Sequence, residues 1–206
     1  MFPSNPILLK PKPAFTLSEI NLLGNKNLFL AKARITQKLQ TALLLVEKLY
    51  AQELIKYDKK LPAEIVNSKG KITKGENLSA SPWMVLDYPK EFSRQNIFAI
   101  RTLIWWGKHV SVSLVLSGSY KKLYEQNIFK AINTKPTNLF VCIGQTPWEH
   151  DFTPANFLKA SKLTSKEITE IKNRSFLKLS FKISIKEINS LEVLALKKFK
   201  GLLQLF

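Results

Sequence analysis

The hydrophobic pattern of this chain changes period along its length. Between Asn27 and about Tyr57, the residues Ile35, Leu39, Ala42, Leu43, Val46, Leu49, Tyr50 and Leu54 recur at three- and four-residue steps. That spacing gathers side chains onto one face of an α-helix, with Lys32, Lys38, Glu47 and Lys48 off the stripe. From Trp83 the period drops to two. Trp83–Tyr88, Asn96–Trp106 and His109–Ser117 read as three strands, joined by segments short enough for an antiparallel meander. A helix capped by Ser119 is expected next, then a buried strand at Leu139–Gly144. Thr164 or Ser165 with Glu167 has the form of a capping box that opens a short helix. In the following strand Phe176, Lys178, Ser180 and Lys182 share one face, against Leu177, Leu179, Phe181, Ile183 and Ile185 on the other, as in a half-exposed strand. The apolar-rich C-terminus reads as a helix docked on the sheet; its basic amphipathic character also permits a membrane-surface reading.

Two stretches have no period. Residues 1–26, rich in Pro and Asn, read as an extended or partly disordered arm. The segment from Tyr57 to Pro82 reads as a long irregular connection, with a short strand near Glu64–Val66 or Lys71–Thr73. Together these features predict an α+β fold. It has an antiparallel β-sheet of about five strands, a long N-terminal helix and further helices packed mainly on one face, with residues 27–206 as a single domain.

The stretch from Phe98 to Gly118 carries two adjacent tryptophans and one of the two histidines of the chain. A tight turn at Gly107–Lys108 would set Trp106 opposite His109. Arg101, Leu103 and Trp105 then lie beside Val110, Val112, Leu114 and Leu116 under the helices. Ile100, Thr102, Ile104 and Trp106 lie with His109, Ser111, Ser113 and Val115 on a half-open polar-aromatic floor. Arg101 is the anomaly on the aliphatic side. A buried guanidinium needs a counter-charge, and Asp87 on the preceding strand is the candidate; snorkelling to the sheet edge is the alternative.

A second cluster, Trp148, Glu149, His150 and Asp151, falls in a proline-punctuated loop, where acid, base and aromatic side chains often serve a site. It would roof the floor of Trp106, His109, Ser111 and Ser113. These eight residues are the candidate ligand-binding set. A hydrolase or metal-assisted site would use His109, His150 and a carboxylate, but the adjacent His150–Asp151 lacks the spacing of a facial metal triad. No zinc, nucleotide or nucleophile-elbow motif occurs, and no catalytic residue, cofactor or metal is indicated. Cys142 lies in an apolar strand and reads as an inert thiol.

Charge widens the field of partners without choosing among them. The formal net charge is +17. Yet only Arg34, Arg94, Arg101 and Arg174 of the 32 basic residues are arginines, and the lysines form no block. Nucleic acid is therefore admitted by charge but supported by no motif, and an unknown small molecule or protein remains the expected partner. The longest apolar runs, Ala42–Val46 and Leu103–Trp106, fall far short of the roughly 18 residues of a membrane span. The proline-rich start does not read as an export leader, and with a lone cysteine the expected location is cytoplasmic.

Gly75, Glu76, Asn77, Pro82, Val85–Pro89, Phe98–Thr102, Trp105–Gly107 and Leu116–Gly118 form a pattern. It resembles one found in a family of bacterial conserved hypothetical proteins. The order of elements also resembles that of YktB-like α+β proteins. Neither resemblance implies an activity, cofactor or catalytic residue. The expected role is a cytoplasmic binding module that uses the polar-aromatic sheet face.

Overall fold

The computed structural model describes residues 13–206. The chain divides into two compact units, with the boundary between Lys38 and Leu39. The first unit holds helix α1 (Leu17–Leu23) and the opening turns of α2 (Lys26–Leu54). Thr16 and Glu19 cap α1 reciprocally: the Thr16 hydroxyl accepts the Glu19 N–H, and the Glu19 carboxylate accepts the Thr16 N–H at 2.7 Å. Part of the expected extended arm is thus helical, and residues 1–12 of it lie outside the described residues.

The second unit is built on a seven-stranded sheet. Its strands are β1 (Lys71–Leu78), β2 (Ser81–Phe92), β3 (Ile97–Trp105), β4 (His109–Ser117), β5 (Phe140–Cys142), β6 (Phe157–Lys159) and β7 (Phe176–Ser184). They stand in the order β1-β2-β3-β4-β7-β5-β6, every neighbouring pair antiparallel. The sequence pattern foresees five of them. Of β1 it offers only the short strand near Lys71–Thr73, because an edge strand reading KITKGENL shows no apolar alternation, and it misses β6 because three residues are too few to show a period. Glu64–Val66 falls in a short helix, α3 (Ala63–Val66), rather than a strand.

One face of the sheet carries Phe98, Ile100, Ile104, Val110, Val112, Leu114 and Leu116, which share a single core with the helices. From α2 come Leu39, Leu43, Val46, Tyr50 and Leu54, the buried part of the sequence stripe. Each large apolar side chain so buried contributes about 2 kcal/mol. Helices α4 (Gly118–Asn133), α5 (Ser165–Asn173) and α6 (Leu191–Leu203) add Tyr124, Ile128, Ile171, Phe199 and Leu202. The Tyr50 ring stacks on Phe199 at 3.8 Å, and its hydroxyl meets Thr102 Oγ1 at 3.0 Å and donates to the Ala195 carbonyl at 3.2 Å. One phenol therefore ties α2, β3 and α6 together. The capping box of α5 forms between Thr164 and Glu167. Ser119, expected as a cap, instead gives its N–H and hydroxyl to Asn96 Oδ1, and Ser117 stands at the N-cap of α4.

Three residues, Trp106, Gly107 and Lys108, make the β3–β4 turn, with Gly107 at φ +70°. The register is therefore Trp105 opposite His109, Leu103 opposite Ser111 and Arg101 opposite Ser113. This corrects the two-residue turn and its sorting. Arg101, Leu103 and Trp105 lie with His109, Ser111 and Ser113 on the face away from the helices, while Ile100, Thr102 and Ile104 lie beneath them. The two indoles still part: Trp105 packs with Val85 and Leu103, Trp106 against the helix-side core. The second face is not half-open. Lys178 and Ser180 are buried along with His109, Ser111 and Ser113, because the loop from Gly144 to Asn156 covers this face, with Pro147 and Glu149 over Lys178 and Phe152 against His109.

Candidate functional site

The covered face is polar, so what holds it together is a set of directed bonds. Arg101 Nε donates to Asp87 Oδ1 at 2.7 Å and Arg101 Nη2 to Asp87 Oδ2 at 2.9 Å, a two-pronged pair between β3 and β2. The Trp148 ring lies 4.9 Å from the guanidinium. Ser113 and Ser180 share a hydrogen bond of 2.7 Å across β4 and β7. Lys178 reaches up from β7 and donates to the carbonyl oxygens of Pro147 and Glu149. Arg174 donates to the Gly144 carbonyl. The loop is thus stapled at Gly144, Pro147 and Glu149 by cations of the frame beneath it.

His109 packs between Trp105 at 5.6 Å and Phe152 at 4.9 Å. Its Nε2 is buried with no hydrogen-bond partner among the described residues. Burial and the Lys182 charge hold its pKa down to about 4, against the opposing influence of Asp151 and a hydrogen bond to the His150 main chain. Burial, then the charges of Lys178 and Arg101, push His150 down to about 3. Both imidazoles are neutral at neutral pH. Burial also lowers Lys178 to about 8 and raises the Cys142 thiol above its ordinary value.

A cleft of about 360 Å³ opens between the loop and the β1–β3 edge of this face. Arg101, Trp148, His150, Trp83, Thr73 and Asn77 are among the residues that line it. Gly75 of β1 makes room for one wall: a Cβ there would stand 2.6 Å from the Trp83 indole. Asn77 Oδ1 accepts the Ala80 N–H and so braces the β1–β2 turn, where Ser79 and Ala80 take φ of 48° and 61°.

Of the eight expected ligand-binding residues, the cleft brings together Trp148 and His150 and adds Arg101 from the expected ion pair. Trp106 is corrected to the helix side of the sheet, and His109, Ser111 and Ser113 lie beneath the loop instead of forming an open floor. Glu149 turns to Thr146 at 3.3 Å, and Asp151 pairs with Lys108 at 3.8 Å on the surface. Among the described residues, no three His, Cys, Asp or Glu side chains converge to hold a metal ion, so His109, His150 and a carboxylate do not assemble as a metal-binding trio. Trp83, Thr73 and Asn77 were missed because their contribution depends on β1 pairing with β2, which the polar pattern of β1 conceals.

Comparison with protein-family models, curated protein sequences and solved structures finds no match for this chain. No helix among the described residues is long and apolar enough to cross a membrane.

Proposed function

We propose that this protein is a binding module for a small molecule bearing a flat, uncharged ring, held in the cleft between Trp83, Trp148 and His150. The observation that carries this is electrostatic balance. Arg101, the guanidinium lining the cleft, is already matched by Asp87, and His150 is neutral, so the walls offer stacking surface and single hydrogen bonds rather than net charge. A volume of about 360 Å³ suits a small ligand rather than a protein segment. Catalysis is the weaker reading, because imidazoles held at about 4 and 3 are poor general bases near pH 7.

Melting temperature and tryptophan fluorescence, measured against a panel of neutral heteroaromatic compounds that includes nucleosides and indoles, test this reading. A ligand that prefers the folded protein raises the Tm. Its affinity should fall about tenfold in Trp148→Ala, the loss of one aromatic stacking contact. A panel without a binder, or a binder indifferent to Trp148→Ala, overturns the proposal.

A further inference from the structure

We propose that a second cleft, between the first turns of α4 and the end of α5, binds a phosphate ester. It lies outside the aromatic cleft and uses none of its residues. Its volume is about 610 Å³, and its lining includes Arg94, Lys121, Lys122, Lys172 and Arg174 against a single carboxylate, Glu125. Glu125 is committed to Lys121, at 2.9 Å. Among the described residues no carboxylate pairs with Arg94, Lys122, Lys172 or Arg174. Four cations therefore share one concavity without counter-charge, and a concave wall concentrates the field of like charges.

The arginines sharpen the point. The chain has 32 basic residues and only four arginines. One is matched by Asp87 and one stands in α2; the remaining two, Arg94 and Arg174, line this cleft. A guanidinium fork fits the paired oxygens of a phosphate, and one donor of Arg174 spent on the Gly144 carbonyl leaves four of its five N–H groups. Lys121 is fixed in the wall: its side chain is 9% exposed, and Nζ donates to the Lys172 carbonyl at 2.7 Å.

Charge number selects the ligand class. One carboxylate would leave most of the positive charge unmatched, whereas a phosphate monoester carries nearly two negative charges at neutral pH and a phosphodiester strand carries one per residue. Ile97 and Phe176, also in the lining, give the organic part of an ester apolar surface to lie on. A neighbouring cleft of about 490 Å³ shares Glu125, Lys172 and Asn173 and continues along α4 to Lys130. A ligand with more than one phosphate has a path from one cleft to the other.

The experiment measures binding of inorganic phosphate, adenosine monophosphate and an eight-residue single-stranded oligonucleotide to the full chain, across a range of salt concentrations. It compares the protein with Arg94→Gln/Lys122→Gln, which removes two exposed cations that hold no structural bond. Lys166→Gln/Lys186→Gln removes the same charge elsewhere on the surface. At least one ester should bind, and Arg94→Gln/Lys122→Gln should weaken it about tenfold or more, while Lys166→Gln/Lys186→Gln changes it less than about twofold. If the oligonucleotide binds far more tightly than the monophosphate, the source of the ester is a nucleic-acid strand, and its salt slope should shrink by about 1.4 in Arg94→Gln/Lys122→Gln. If the monophosphate binds as well as the oligonucleotide, the source is a free small molecule. No ester binding at low salt, or equal weakening in the two double variants, overturns the proposal.

Discussion

Arg101 and Asp87 face each other on adjacent strands and meet through two hydrogen bonds, of 2.7 and 2.9 Å, on the sheet face away from the helices. Asp87 is 5% exposed, and Arg101 is the counter-charge it meets there. Arg101→Met would leave it buried and unmatched. The expected loss is about 3 kcal/mol, measured by urea unfolding, and Asp87→Leu/Arg101→Met should recover part of it. Near-normal stability of Arg101→Met would show that the pair is not a buried one.

The two histidines make stability depend on pH with a definite sign. In the unfolded chain an imidazole takes a proton near pH 6.5, but the folded protein resists until about pH 4 at His109 and about pH 3 at His150. The unfolded state binds more protons in that window, so stability is full above pH 6.5 and is lost as the pH falls. For His109, at 2% exposure, the loss approaches about 1.4 kcal/mol per pH unit. His109→Phe keeps a ring against Phe152, removes the orphaned Nε2, and should flatten the stability curve between pH 6.5 and 4 by that share. An unchanged curve would mean His109 is not buried neutral.

Lys178 is 1% exposed, and its ammonium donates to the Pro147 and Glu149 carbonyls, which places one strand residue in charge of the loop that bears Trp148 and His150. Lys178→Met keeps the length and drops the donors. Amide exchange from residue 145 to 151 should rise about tenfold, since a charge-assisted hydrogen bond contributes about 1.5 kcal/mol or more, while exchange in α2 stays level. Uniform exchange across the loop in both proteins would exclude the anchoring role.

Gly75 lets the Trp83 indole lie directly on β1, where an added Cβ would stand 2.6 Å from the ring. Gly75→Ala should cost about 1–3 kcal/mol as an overpacking change and shift the tryptophan emission, because the indole must move. A variant with the original Tm and spectrum would contradict that close approach.

Much of the fold was written in local pattern. The stripe on α2, the capping box at Thr164 and Glu167, and the alternation in β2, β3, β4 and β7 each declare themselves within one element. The site was less legible. His150 and Trp148 stood out by residue type, and Asp87 and Arg101 by the cost of burying a charge. Trp83, Thr73 and Asn77 join them only through the β1–β2 hairpin, whose first strand shows no apolar alternation to announce it.

By itself, then, the sequence determined the alternation of the hairpin and the separation of its neighbouring indoles, because a pleated strand sends consecutive side chains to opposite faces. Tertiary structure decided which indole keeps company with His109. One more residue in the turn, Trp106 ahead of Gly107 (φ +70°) and Lys108, moves the pairing by a single step and exchanges the faces of every side chain in β3 relative to β4. Alternation is a property of one strand. Register is a property of two, fixed by the turn geometry and by the core and the loop that cover the two faces.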